Sequence, residues 1–243
     1  MKAMIFAAGL GTRLKPFTNT HPKALAEING IPLLEIIVKR LLSFGFDNIV
    51  INVHHFQDQI LEFLQKNKNF NANISISDES TLLLDTGGGL KNASSLLINN
   101  GPILVHNVDI VSNIDLEWLY KSHIESNSLA SLACMERKSS RDFLINAQHE
   151  LCGWRNNSTK ELKISRETEN FLKPIAFTGI HVINPEFLNL ITEKGVFSIV
   201  DVYLRLARDH SINVIEVDKP VWLDLGTPEN LQKACALKRE LGI

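Results

Sequence analysis

The chain has 243 residues, with 25 lysines and arginines against 27 aspartates and glutamates, a formal net charge of -2, 44% hydrophobic and 21% charged residues. This balance excludes a disordered chain, a collagen-like repeat and a dedicated nucleic-acid clamp, since no basic excess is present to meet a phosphate polymer. No apolar run approaches the ~20 residues that cross a bilayer, so neither a nucleic acid nor a membrane is expected as partner.

Residues 3–8 read as a buried strand. The run is too short for a signal peptide and breaks at Gly9 rather than at a cleavage motif. A helix is expected over 32–44, where Leu33, Leu34, Ile37 and Leu41 recur at helical spacing before Gly45. A strand at 48–53, a helix at 57–67, an alternating strand at 73–77, a helix at 88–97 and an apolar strand at 102–108 follow. Such alternation predicts right-handed crossovers. The fold class is therefore α/β, a Rossmann-like, mainly parallel twisted sheet with helices on both faces.

Beyond residue 110 the pattern is mixed. Strands are expected at 128–135 and 176–182, and a helix at 198–208, with Asp115 as the N-cap of a helix starting at Leu116. Strands at 213–217 and 221–225 are expected to close the sheet, before a terminal helix at 228–241. The polar stretch 139–173 has no clear period and suits a hairpin or lid. No repeat or Pro/Ser linker divides the chain, so 1–243 reads as one domain. Cys134, Cys152 and Cys235 are scattered without metal-ligand spacing, as inert thiols in a reducing cytoplasm would be.

The segment Ala7-Ala8-Gly9-Leu10-Gly11-Thr12-Arg13 directly follows the first strand. A glycine-rich turn there gathers backbone N–H groups in one concavity, which suits an anion. Gly9 and Gly11 permit close approach, Arg13 adds a fork of donors, and Lys23 after Pro22 adds a point charge. It is no dinucleotide fingerprint, because Leu14 stands where the third glycine belongs, and no Gly-Lys-Ser/Thr closes a Walker loop. Asp109 follows an apolar strand, at the carboxyl edge where open α/β sheets bind ligands. Asp224 lies in another short apolar strand, before Gly226-Thr227-Pro228. If the two converge, they form a hard oxygen site for Mg²⁺, completed by water and substrate phosphates. Asp85-Thr86-Gly87-Gly88-Gly89 reads as a turn opening a helix, with glycine backbone against a base and ribose. The Asp85 carboxylate suits guanine N–H groups or the single N–H of uracil. In Asn52-Val53-His54-His55 the two histidines point to opposite sides of a strand and make no metal pair, so the segment reads instead as a loop near the nucleotide. No Gly-x-Ser-x-Gly elbow is present for a hydrolase.

Taken in order, Gly9-Leu10-Gly11-Thr12-Arg13 with Pro22-Lys23, Asp85 to Gly89, Asn107-Val108-Asp109, Phe177-Thr178-Gly179-Ile180 and Trp222 to Pro228 resemble the motifs of the sugar-1-phosphate nucleotidyltransferases. The similarity is greatest to short N-acetylmuramate-1-phosphate uridylyltransferases, and next to short mannose-1-phosphate guanylyltransferases. It spans nearly the whole chain. The resemblance implies nucleotide contacts from Ala8, Gly9, Gly11, Thr12, Arg13, Lys23, Asp85, Gly87 and Gly88, with Arg13 and Lys23 catalytic. It implies metal ligation by Asp109 and Asp224, and sugar contacts from Asn107, Asp142 and Gly179. Asp142, in Arg141-Asp142-Phe143, suits a sugar hydroxyl, an amide, or simply solvent.

The part up to about residue 110 would then hold the nucleotide, and 111–243 the sugar and the second metal ligand. Two departures stand out: Leu172-Lys173-Pro174 lacks the glutamate common before the sugar strand, and Val108 replaces a usual glycine. The implied reaction joins a nucleoside triphosphate to a sugar 1-phosphate with Mg²⁺, in a cytoplasmic monomer or small homo-oligomer. UTP with N-acetylmuramate 1-phosphate or a similar hexose 1-phosphate leads. GTP with mannose 1-phosphate, or a non-catalytic sensor on the same fold, are the alternatives. The helix after Pro228 leaves no room for an appended β-helix domain, so transfer alone is expected.

Overall fold

From the first strand, Met4 and Phe6 enter one buried cluster while Ala3, Ile5 and Ala7 enter another, so the sheet is covered on both faces. A strand buried on both sides reads as an unbroken apolar run, as this one does. The computed structural model describes residues 1–98, 100–167 and 171–242. In chain order the elements are β1 (Lys2–Phe6), β2 (Glu27–Ile28), β3 (Ile31–Pro32), α1 (Leu33–Ser43), β4 (Asn48–Val53), α2 (Gln57–Lys66), β5 (Asn73–Asp78) and α3 (Asp85–Asn92). Next come β6 (Ile103–Asn107), β7 (Ile110–Ser112), α4 (Leu116–Ser126), β8 (Ala130–Met135), β9 (Arg141–Ile145), β10 (Leu151–Asn156) and β11 (Leu162–Ile164). The chain continues with β12 (Lys173–Ile183), α5 (Pro185–Asn189), α6 (Ile199–Leu206), β13 (Ile212–Glu216), β14 (Trp222–Asp224), α7 (Pro228–Ala236) and α8 (Lys238–Leu241).

The main sheet runs β11-β10-β9-β12-β6-β1-β4-β5, with β8 also on β12 and β13 on β8. Strands β6, β1, β4 and β5 are parallel, so their carboxyl ends share one edge. β12 joins antiparallel to β6 and carries the antiparallel wing β9-β10-β11. Helices α1, α2 and α4 pack on the face of Ala3 and Ile5, whereas α3, α5 and α6 pack on the face of Met4 and Phe6. Asp115 caps α4, its Oδ1 accepting from Trp118 N at 2.9 Å, as its position before Leu116 foretells.

The structure departs from the sequence reading in several places. Residues 221–225 do not close the main sheet. β14 pairs antiparallel with β7, Asp224 opposite Ile110, because β7 lies off the main sheet and its edge takes β14 in a separate ribbon. Leu225 N donates to Asp109 O at 2.8 Å and completes that ribbon. Helix α3 begins at Asp85 rather than Gly88, so the three glycines lie within it, held by tertiary packing that overrides their poor helix propensity. The terminal helix breaks into α7 and α8 at Leu237. The stretch 139–173 folds as the hairpins of β9, β10 and β11, and its residues 168–170 lie outside the described residues. Cys134 and Cys152 are buried, but Cys235 is only partly so.

Two histidines are enclosed in the sheet. Burial lowers His106 to about 4 and His181 to about 3. Among the described residues neither ring nitrogen of His181 has a partner, and its ring stands edge-on to Tyr203 at 5.6 Å. Both imidazoles are therefore neutral when folded and titrate near 6.5 when unfolded. Their folded-state pKa values are depressed, so stability is full above pH 6.5 and is lost as pH falls toward 4 and 3. We predict that each costs the folded state about 2 kcal/mol between pH 7 and pH 5. Urea unfolding at the two pH values measures it, and His181→Leu should flatten the dependence; an unchanged slope would refute it.

Candidate active site

Strands β1 and β6 end side by side, Phe6 opposite Asn107. Beyond them a cavity of about 410 Å³ opens, walled by Ala8, Gly9, Lys23, Asn107 and Asp109 on one side and by Leu83, Asp85, Thr86 and Val196 on the other. Asn52 and Glu79 line it too. The amides of Gly9, Leu10 and Gly11 donate to no group among the described residues, which leaves them free for an anion.

Gly11 has φ +60°, and a Cβ there would lie 2.9 Å from both Lys23 Cβ and Thr18 Cγ2. Its bare backbone lets the lysine stem pass directly behind the loop. Thr18 fixes that turn, its Oγ1 donating to Gly11 O at 2.9 Å. Lys23 is only 8% exposed, and its ammonium is paired with Asp109 Oδ2. Arg13 reaches across Gly226 to Asp224 Oδ2 at 3.4 Å, while Asp224 Oδ1 accepts from Gly226 N at 2.8 Å. The β14–β7 ribbon thus brings the second acid beside the first, from 115 positions further along the chain.

Among the described residues no group of three or more His, Cys, Asp or Glu side chains is placed to hold a metal. Asp109 and Asp224 supply two hard carboxylates and nothing more. That donor set fits Mg²⁺, which keeps several waters and binds through one or two carboxylates and substrate phosphates.

On the other side of β6, Gly179 has φ +85°, and a Cβ there would meet Asn107 Nδ2 at 2.8 Å, so the asparagine lies directly on the glycine. Trp222 Nε1 donates to Thr178 O at 2.9 Å and stacks under Arg137, whose Cζ lies 4.2 Å from the ring centre. Asp142 stands apart from this cleft. It is 6% exposed on β9, and its Oδ2 accepts from Arg155 Nε at 3.1 Å, Arg155 Nη2 at 3.0 Å and Asn157 Nδ2 at 2.8 Å. The reading of a solvated loop carboxylate is thereby corrected, because the arginine draws the carboxylate into a second cavity of about 240 Å³ walled by Phe143, Trp154, Phe177 and Val200.

The glycines of α3 also differ from expectation. Gly87 N and Gly88 N both donate to Phe197 O, at 3.0 and 3.2 Å, and a Cβ on Gly88 would stand 2.7 Å from Gly195 O. They press against the 195–197 segment and do not line the cleft, whereas Asp85 and Thr86 do. Asp85 Oδ1 accepts from Thr86 N at 2.6 Å. Thr12 and Arg13 are exposed beside the glycine loop. Glu79, Leu83 and Val196 were not read from the sequence, and Asn52 only as part of a segment near the nucleotide; the polar Asn52 and Glu79 next to strand ends were its only signal.

The nucleotidyl transferase family profile matches residues 2–240. Over 233 residues the chain is 30% identical to the N-acetylmuramate alpha-1-phosphate uridylyltransferase of Caulobacter vibrioides, covering 93% of this chain and 92% of that protein. It is 32% identical over 238 residues to the protein of the same name from Neisseria meningitidis serogroup B, covering 98% of each. A mannose-1-phosphate guanyltransferase of Yarrowia lipolytica is 28% identical, and the chain spans 64% of it. Among solved structures, a UDP-glucose pyrophosphorylase complexed with UDP-glucose superposes with a TM-score of 0.77 at 18% identity over 99% of both chains. The inositol-1-phosphate CTP transferase from T. maritima also gives 0.77, at 15% identity, over 99% of this chain and 95% of that one. At such identities the structural likeness shows a shared fold.

The loop geometry makes a direct prediction. Gly11→Ala should cost about 1–3 kcal/mol, because alanine must hold positive φ while its methyl meets Lys23 and Thr18. Urea midpoints measure that cost; a midpoint equal to wild type would show that the loop relaxes freely.

Proposed function

The chain belongs to the nucleotidyl transferase family, and on that premise we propose that it couples UTP to N-acetylmuramate 1-phosphate or a similar hexose 1-phosphate, releasing pyrophosphate. It is an enzyme that transfers a nucleotidyl group to a sugar 1-phosphate. The choice of uridylyl and of this sugar rests on the names of the two relatives at 30% and 32% identity. The observation that carries the chemistry is the pair of ion contacts Lys23–Asp109 and Arg13–Asp224, set beside a loop of free amides.

The reaction brings two polyanions together. A phosphate oxygen of the sugar 1-phosphate attacks the α-phosphorus, and pyrophosphate leaves from the opposite side. The attacking oxygen is already ionised at neutral pH and needs no general base. Repulsion is the obstacle, so positioning and charge neutralisation supply the catalysis. In this reading the amides of residues 9–11 and Arg13 hold the leaving pyrophosphate. Lys23 faces the α-phosphate and the incoming oxygen from the floor of the cleft. Mg²⁺ held by Asp109 and Asp224 would supply further neutralisation of phosphoryl oxygens. Asp85 and Thr86 face the base, and Asn107 and Gly179 the sugar. The buried Asp142, in its aromatic cavity, accepts from a substituent of that sugar.

Asp109→Asn and Asp224→Asn should each lower turnover by about a hundredfold or more, and asparagine retains an acceptor for the neighbouring cation. Near-normal rates in both, with Mg²⁺ present, would remove the metal assignment. Lys23→Ala should reduce kcat more than it raises KM, since its charge matters most when the phosphates meet; equal loss in both would argue for plain binding. A matrix of triphosphates against sugar 1-phosphates, scored by released pyrophosphate, decides the substrates. Turnover with GTP and mannose 1-phosphate alone would replace the uridylyl reading, and no release from any pair would favour a sensor.

A further inference from the structure

The glycine loop and the opposite wall of the cleft are joined beneath the cavity by a short relay of buried polar groups. Ala7 N donates to Asn52 Oδ1 at 2.7 Å, Asn52 Nδ2 donates to Glu79 Oε1 at 2.6 Å, and Glu79 Oε2 accepts from Leu84 N at 3.1 Å. Asn52 is 3% and Glu79 2% exposed. A third tie holds the acid's own backbone, where His54 Nδ1 lies 2.7 Å from Glu79 O. The last glycine of the triplet makes room for the relay: a Cβ on Gly89 would stand 2.6 Å from Glu79 Oε1 and 2.9 Å from Asn52 Nδ2.

The relay has a direction. Ala7 N–H can only donate, so it requires the Asn52 oxygen, which turns the Asn52 amino group toward residue 79. That position and Leu84 N–H then both need an acceptor, and an ionised carboxylate is the side chain that only accepts. Burial raises the Glu79 carboxyl above the ordinary range, and its hydrogen bonds from Asn52 and Leu84 pull the other way. Stability alone does not demand a buried carboxylate, because a well-packed apolar group is often no worse. What the carboxylate adds is orientation: a single arrangement of donors that sets where the chain leaves β1 and where Leu84 sits before α3.

We infer that Glu79 is a positioning residue, holding the phosphate-side loop and the base-side wall at a fixed separation through Asn52. This rests on the reading of the cleft as a nucleoside triphosphate site. Glu79 touches no reacting atom in this role. Its effect falls on nucleotide binding and spares the sugar side, where Asn107 of β6 lies on Gly179 of β12 and Asp142 stands on β9.

The test reverses the polarity of the relay. Glu79→Gln cannot accept from both Asn52 and Leu84 while keeping its own amino group satisfied. Asn52→Asp sets two carboxylates together, and its defect should shrink as pH falls and one of them takes a proton. The double variant Asn52→Asp/Glu79→Gln restores every bond in reverse. Ala7 N and the introduced glutamine's amino group donate to the introduced aspartate, and the glutamine's side-chain oxygen accepts from Leu84 N. KM for UTP should rise about tenfold to a hundredfold in each single variant, the range one unsatisfied buried polar group commands. KM for the sugar 1-phosphate should stay within about twofold, and the double variant should return within about threefold of wild type. A wild-type KM for UTP in Glu79→Gln, or a folded double variant no better than the worse single, overturns the inference. Failure of wild type to bind any triphosphate would instead overturn the nucleotide reading. Amide exchange of residues 7–13 then decides the relay by itself: faster in the single variants and restored in the double supports it, and unchanged in all three refutes it.

Discussion

Two carboxylates stand at one sheet edge, and each meets a cation supplied by the segment that follows β1. Lys23 is almost wholly buried, so its charge must be matched where it lies, and Asp109 matches it. That contact depends on Gly11, whose missing side chain is the space through which the lysine stem runs. Arg13 follows on the same loop and meets Asp224, whose strand pairs with β7 just beyond the end of β6. Without phosphates these four groups balance one another charge for charge. Phosphates add anions, and the same four groups, two positive and two negative, can then be redistributed without a change of fold.

The residues of this balance could be read before the structure because their chemistry is local. A glycine turn after an apolar strand, an arginine two residues on, and an acid at the end of another strand each declare themselves within a few positions. Their convergence follows from parallel topology, since alternating strands and helices put β1, β4 and β6 in one direction. What could not be read is whatever depends on contact between distant segments. Asn52 and Glu79 are ordinary polar residues at strand ends, and only the fold shows that they meet. The strand at 222–224 has the apolar character of a sheet member. Nothing in its own residues says that it caps β7 instead of extending the ladder at β13. Asp142 is the opposite case: a polar loop pattern concealed a buried carboxylate, because the arginine that holds it is 13 positions away on the next strand.

The triple glycine shows the same limit most clearly. Three glycines after an acid suggest a flexible turn open to a ligand, yet here they form the first turns of a helix. Gly87 and Gly88 lie against Phe197 and Gly195, and Gly89 against the Asn52–Glu79 pair. Each absence of a side chain is filled by another part of the molecule. The wall that faces the cavity is left to Asp85 and Thr86, just before them.

That packing ties the two halves of the sheet together. Phe197 N donates to Leu84 O at 3.2 Å, its carbonyl takes the amides of Gly87 and Gly88, and Ile199 N donates to Thr86 Oγ1 at 3.0 Å. The segment so clasped continues directly into α6. Val196 at its start lines the first cavity, and Val200 four residues later lines the second, beside Asp142. The base-side wall is therefore not a loop hung on the parallel half of the sheet. It is shared with the antiparallel wing, so a shift of α6 at the second cavity must be felt at Thr86 in the first. Close packing of this kind transmits strain, and this segment spans the gap that a nucleotide and its acceptor would have to cross.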